Sequence, residues 1–272
     1  MEDLRGNVRG EPGELTIAAH VGFEGHSGSA VDRAPAGRGG WVTGRPAPPV
    51  LHPPLRAWLG PLAVLAALTV LALGVLYADG GAPGRVDARI GAAVDGVAPR
   101  WRDVALAVDF LGEPVGAATL IGITVTGCLL LRRPRAAVLL VAGVGLTVAT
   151  TTLLKPLVGR TIHGEENLSF PSGHTAFLTA FALVVALLVA GRLRLGRTAG
   201  TSLVLAAGLI AGAAMGGAQV ALGAHYPTDT LGGWCTALAV VTATAWLVDR
   251  AADRWAVPTD DGTADTGRRV RR

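Results

Sequence analysis

Six stretches without a charged residue divide this chain, at 58–77, 115–131, 136–154, 175–190, 201–222 and 230–248. Each is close to the roughly 17–25 residues that an α-helix needs to cross a bilayer. Spanning strands would be shorter and would alternate apolar with polar residues, and these stretches do not alternate. In lipid, a helix that satisfies its own backbone hydrogen bonds is the economical solution. The pattern therefore predicts an all-α, integral membrane bundle of six transmembrane helices. Composition agrees: 50% of residues are hydrophobic and 16% charged, against about 25% charged in a typical soluble domain. Only 5% are aromatic, so the apolar content is mainly Ala, Val, Leu and Gly, which suits helices packed closely in a membrane.

The formal charge of +4 does not point to nucleic acid, because the arginines lie between apolar spans and not on one basic face. Arg132, Arg133 and Arg135 follow the second span, Arg192, Arg194 and Arg197 follow the fourth, and Arg250, Arg254 and the closing RRVRR follow the sixth. If the spans alternate, these basic segments share one side, which the positive-inside rule makes cytoplasmic. The expected protein is thus a multi-pass cell-membrane protein with both termini cytoplasmic. Three parts are expected: a disordered N-terminal tail over 1–54, rich in Gly, Pro and Arg; a membrane domain over 55–250; and a disordered basic tail over 251–272. The tail 1–54 has no short apolar core of the signal-peptide kind. The loop 78–114 places Val86, Ile90, Ala93, Val94 and Val97 at near-helical spacing. Two readings stand for it, an amphipathic helix lying on the outer membrane surface, interrupted near Pro99, and a cap over the bundle. Cys128 and Cys235 fall inside apolar runs and read as small core residues.

The polar residues that remain gather on the opposite, outward side. Lys155 ends the third span and is the one lysine among 24 lysines and arginines. Arg160 and His163 follow it. Pro171-Ser172-Gly173-His174 opens the fourth span, and His225-Tyr226-Pro227-Thr228-Asp229 opens the sixth. Ser172 is a good N-cap. The backbone N–H groups behind it, next to a glycine without a side chain, form an anion-binding helix start. Lys155 and Arg160 supply cationic donors suited to phosphate oxygens. His225 and Asp229, four residues apart, put a carboxylate within reach of an imidazole, where it fixes the tautomer and raises basicity. That is the imidazole–carboxylate half of a nucleophilic site. His174 is a second imidazole, placed to act as a general acid.

Each piece alone has a plainer reading. Lys155 also fits a snorkelling anchor, Pro-Ser-Gly-His a turn and cap, His163 an exposed loop histidine, and Glu165 and Glu166 a solvated loop face. Two histidines and one aspartate lack a third histidine or glutamate at zinc-ligand spacing. No charge lies inside a span, which argues against a transport pathway. It is the placing of all three pieces on one side of six spans that points to a site.

These residues resemble the type 2 phosphatidic acid phosphatase and vanadium haloperoxidase superfamily, over about 58–248. Its second motif, Pro-Ser-Gly-His, stands complete at Pro171–His174, and the His and Asp of its third fall on His225 and Asp229. The resemblance implies that His225 attacks phosphorus to form a phosphohistidine, that Asp229 orients it, and that His174 protonates the leaving group. Lys155, Ser172 and the Gly173 backbone would hold phosphoryl oxygens. No cofactor and no metal are implied. Membrane members of the family act on lipid phosphates or diphosphates of the phosphatidate, phosphatidylglycerophosphate or polyprenyl diphosphate type. The implied partners are therefore a lipid phosphate and the bilayer. Two departures stand out. The first motif, Lys then six residues then Arg-Pro, places its Arg-Pro on Ile162-His163, and the third places its Ser-Arg on Ala218-Gln219. Arg160, together with His163, is expected to supply the missing charge, and Gln219 a neutral hydrogen bond. Alternatives to a phosphatase are a lipid phosphotransferase and a catalytically weakened protein that binds lipid phosphate.

Overall fold

A computed structural model describes residue 51, residues 53–95 and residues 98–255. Eight helices account for nearly all of these: α1 (Pro53–Leu76), α2 (Arg85–Asp95), α3 (Ala98–Phe110), α4 (Pro114–Leu130), α5 (Pro134–Val158), α6 (Gly173–Arg192), α7 (Arg197–Ala221) and α8 (Pro227–Trp255). The bounds follow local chemistry. Prolines open α4, α5 and α8, where their missing N–H is no loss and their fixed φ suits the first helical position. Gly159, at φ 66°, ends α5 and returns its N–H to the Lys155 carbonyl, a left-handed stop that a glycine adopts without steric cost.

The all-α membrane architecture is as expected, with one change. Helices α1, α5, α6, α7 and α8 are each long and apolar enough to cross a membrane. The second expected span is α4, and its 17 residues reach the lower limit only. It forms a candidate sixth span together with α3, across a bend of 55°. The break falls at Leu111-Gly112-Glu113, just before Pro114, where a continuous helix is disfavoured. The expected boundaries also move. Pro53 and Pro54 are already helical, and α8 continues past residue 250 to Trp255. The two ends of the domain are tied together, because Leu51 N–H and Arg56 both donate to Asp249 on α8, at 2.8 and 3.3 Å. The expected tails otherwise lie outside the described residues.

Helix α6 is the centre of the bundle, packed against α5, α7 and α8, while α1 lies along α8 and α3 along α7. Leu139, Leu140 and Val144 of α5 meet Leu183, Val184 and Leu187 of α6 and Leu238 and Val241 of α8 in one buried core. Cys128 and Cys235 are buried and free, as their apolar surroundings in the sequence imply. Leu65, Leu68 and Leu71 on α1, Leu153 and Leu157 on α5, and Leu209 and Ile210 on α7 point outward from the bundle, as lipid-facing positions do. The segment after α1 is helical and two-sided. Val86 and Ile90 of α2 face away from the bundle, while Asp87 is turned inward and 2% exposed.

Close approach between α8 and the start of α6 depends on Gly233. A Cβ there would fall on the Ser172 carbonyl oxygen and within 3.2 Å of the Ala176 nitrogen. Both are backbone atoms, so no side chain can yield. Gly233→Ala should therefore destabilise the protein by about 1–3 kcal/mol, the usual cost of overpacking. It should also move the beginning of α6 off α8. A lowered thermal midpoint in detergent, measured beside the lipid-facing control Leu209→Ala, checks this.

Candidate active site

The three sequence pieces meet at one end of the bundle. Ser172 caps α6 with φ −65° and ψ 118°, and its Oγ accepts from the Thr175 N–H at 3.4 Å. Its own N–H donates to the Asp229 carbonyl at 3.0 Å, so the start of α6 is bonded directly to the start of α8. Gly173 and His174 are the first residues of α6, and their N–H groups have no carbonyl one turn before them to accept. Space beside Gly173 is open: the nearest atom to a Cβ built there is Thr151 Oγ1 at 3.8 Å. Lys155, in the last turn of α5, donates from Nζ to the Leu168 carbonyl at 2.9 Å. A cation and a helix start are thus brought to the same loop from two different spans.

Asp229 is fully buried and serves two structures at once. As the third residue of α8 it accepts the Tyr226 N–H at 3.0 Å, the carboxylate half of a capping box. The same oxygen, Oδ2, lies 3.7 Å from His225 Nδ1. That is longer than a hydrogen bond, and the Nδ1 atom is buried without a bonded partner. The other oxygen, Oδ1, accepts from Arg160 Nη1 at 2.5 Å.

Arg160 does not stand where the sequence reading puts it. Its side chain is wholly buried, with Nη1 also donating to Thr228 Oγ1 at 2.7 Å and Nη2 donating to Asp87 Oδ2 at 2.7 Å. Its guanidinium carbon lies 3.9 Å from the centre of the Tyr77 ring and 4.5 Å from that of Tyr226, both within cation–π range. Both terminal nitrogens bond to carboxylates, so Arg160 clamps Asp229 to Asp87, while its Nε is buried without a bonded partner. Burial pushes the Tyr226 phenol above its ordinary range, against the pull of the Arg160 charge. The phenol donates to the Gly81 carbonyl at 3.3 Å.

Two other residues named from the sequence are also engaged within the protein. Gln219 is buried, but its amide nitrogen donates to Asp109 Oδ1 and faces Met215 Sδ at 3.9 Å, so its donor is already engaged. His163 is exposed, at φ 59°, and its Nε2 bonds the Gly223 carbonyl at 2.7 Å. It pins the α7–α8 turn, beside a cavity of about 350 Å³ that Asp87, His225 and Tyr226 also line.

His174 is about one-third exposed. Its Nε2 lies 3.8 Å from Asp109 Oδ1 and 3.6 Å from Glu113 Oε1. Ligand atoms of these three residues lie within 4.8 Å of one another, the one grouping among the described residues with the donor set for a divalent cation. Sequence reasoning missed Asp87, Thr228, Asp109 and Glu113. No spacing pattern marks them; their one signal is that all lie on the same expected side as the motifs.

Removing the clamp should be costly. Arg160→Met leaves two buried carboxylates without their counter-charge, a change worth about 3–5 kcal/mol. Adding Asp87→Asn should recover part of that loss, because the sites are coupled. Thermal midpoints of the two single variants and the double variant measure the coupling; strictly additive losses would show that no clamp exists.

Residues 136–253 match the family described as the PAP2 superfamily. Among solved structures the chain is similar to a transmembrane PAP2 type phosphatidylglycerolphosphate phosphatase from Bacillus subtilis. The identity is 22%, with a TM-score of 0.53, covering 72% of this chain and 98% of that one. At that identity the likeness is one of fold. No curated protein matches the chain. The matched segment contains Lys155, Pro171–His174 and His225–Asp229, the residues on which the resemblance was read. Over residues 136–253 the chain is similar to the PAP2 superfamily, and its multi-pass helical fold is like that of the transmembrane phosphatase.

Proposed function

We propose that the protein is a membrane lipid phosphate phosphatase that works through a phosphohistidine. One observation carries most of the reading. The bond from Ser172 N–H to the Asp229 carbonyl joins the anion-binding start of α6 to the imidazole–carboxylate pair of α8. A phosphoryl group held by the Gly173 and His174 N–H groups and by Lys155 then faces His225. His225 Nε2 attacks phosphorus. The bond to the leaving oxygen breaks as His174 delivers its proton, and Asp229 receives the hydrogen bond from His225 Nδ1–H. A gap of 3.7 Å needs only a small ring rotation to close, and such bonds often tighten when substrate binds. In the second half, His174 takes a proton from water, water attacks the phosphohistidine, and phosphate leaves with His225 restored. The reaction so written uses no metal and no cofactor.

Arg160 and Asp87 act through Asp229, as positioning residues. The charge of Arg160 holds the carboxylate in place, and Asp87 in turn anchors Arg160 and Thr228, while Oδ2 remains turned to His225. Lipid phosphates or diphosphates of the phosphatidate, phosphatidylglycerophosphate or polyprenyl type are the candidate substrates. On the positive-inside rule the site faces outward and both termini are cytoplasmic. A phosphotransferase would differ only in that an acceptor hydroxyl replaces water.

Purified protein should release phosphate from one or more of these lipids, and vanadate, which mimics five-coordinate phosphorus, should inhibit it. His225→Ala should abolish release. His174→Ala should lower kcat by about 10²–10⁴-fold, with a smaller loss on a substrate whose leaving group is already acidic. Release that survives His225→Ala would refute the nucleophile assignment. Lipid binding without turnover would favour the binding protein instead.

A further inference from the structure

Three features converge near His174. First, two carboxylates flank its Nε2, Asp109 at 3.8 Å and Glu113 at 3.6 Å. Among the described residues neither forms an ion pair with a lysine or arginine. Second, the hydrogen bond that Asp109 accepts comes from Gln219, a neutral amide standing where the family pattern carries an arginine, so its charge is left uncancelled. Third, an apolar cavity of about 300 Å³ lies between α3 and α7, lined by Trp101, Val104, Val108, Ala214 and Ala218 among others. Val108 and Ala218 are the residues next to Asp109 and Gln219. A lipid chain in that cavity would lie against the residues that adjoin Asp109 and Gln219.

A general acid must come within about 3 Å of the oxygen it protonates. A leaving group served by His174 therefore departs beside Asp109 and Glu113. Like charges at such distances repel strongly where the dielectric is low. The leaving group of a phosphomonoester is an alcohol, neutral once protonated and able to donate a hydrogen bond to a carboxylate. The leaving group of a diphosphate is a lipid monophosphate, which is an anion. Glu113 is half exposed and partly screened, whereas Asp109 is the better buried of the two and should weigh more.

Resting on the phosphatase reading above, we propose that Asp109 and Glu113 are specificity residues that select phosphomonoesters of lipids against lipid diphosphates. The test compares a polyprenyl monophosphate with the diphosphate of the same polyprenol, so that the tail is constant. Purified full-length protein is assayed in mixed micelles with EDTA, and initial kcat/KM is measured for each substrate. The wild type should favour the monophosphate. Asp109→Asn combined with Glu113→Gln should shift the ratio toward the diphosphate by about tenfold or more, a difference of about 1.4 kcal/mol. Gln219→Arg, which sets a guanidinium against Asp109, should shift it the same way. A wild type that favours the diphosphate, or a ratio unchanged in both variants, overturns the inference alone, provided that release still requires His225. Release from neither substrate, or release indifferent to His225→Ala, overturns the phosphatase reading and this inference with it.

Discussion

A guanidinium buried between two carboxylates organises the site end of this bundle. Arg160 reaches Asp229 at the start of α8 and Asp87 on α2, while the faces of Tyr77 and Tyr226 lie against it. Four chain segments are therefore held by one charge: the end of α1, α2, the loop after α5 and the beginning of α8. A buried ion pair is weak evidence for stability in itself, since desolvation offsets much of the attraction. What it does provide is position. Asp229 cannot turn away from His225 without leaving Arg160, and α2 cannot lift without exposing Asp87.

This arrangement changes how the missing arginines are understood. The family pattern expects cations at 162 and 219, where this chain has Ile162 and Gln219. The terminal nitrogens of Arg160 are bonded to carboxylates, and its remaining donor, Nε, is buried without a bonded partner. Ile162 is buried at 5% exposure, packed as an apolar residue. Gln219 holds Asp109. On the proposed function, the anion cradle relies on Lys155 and on the backbone N–H groups at the start of α6. Two carboxylates, Asp109 and Glu113, stand beside His174 Nε2, and among the described residues neither is paired with a guanidinium. Both changes bear on which phosphate ester fits, and neither disturbs His174, His225 or Asp229.

Much of the fold was legible because lipid imposes a simple rule on sequence. Apolar runs of bilayer length must be helices, and five of the six expected spans are single helices. The exception, α4, shows where the rule loses force: 17 residues sit at the limit, and whether a bent neighbour completes the crossing depends on geometry around Gly112 and Pro114. The N-cap at Ser172 and the opening of α8 around Pro227 were equally local, so composition and order sufficed for them. Asp229 was read as a partner for His225 from spacing alone. That it also caps α8 and receives Arg160 was not visible, because those bonds join residues far apart in the chain.

The amino-acid order alone marked the membrane-spanning helical architecture and singled out the histidines, the aspartate and the lysine proposed for phosphoryl chemistry. It did so because helical periodicity, capping and i to i+4 spacing act over a few residues and leave a readable pattern. Only the tertiary structure decided what Arg160, Gln219 and His163 do. It alone brought in Asp87, Asp109 and Glu113. Charges pair by distance in space, and a buried guanidinium takes whichever carboxylates the packing of α2 and α8 delivers to it. No spacing along the chain encodes that choice.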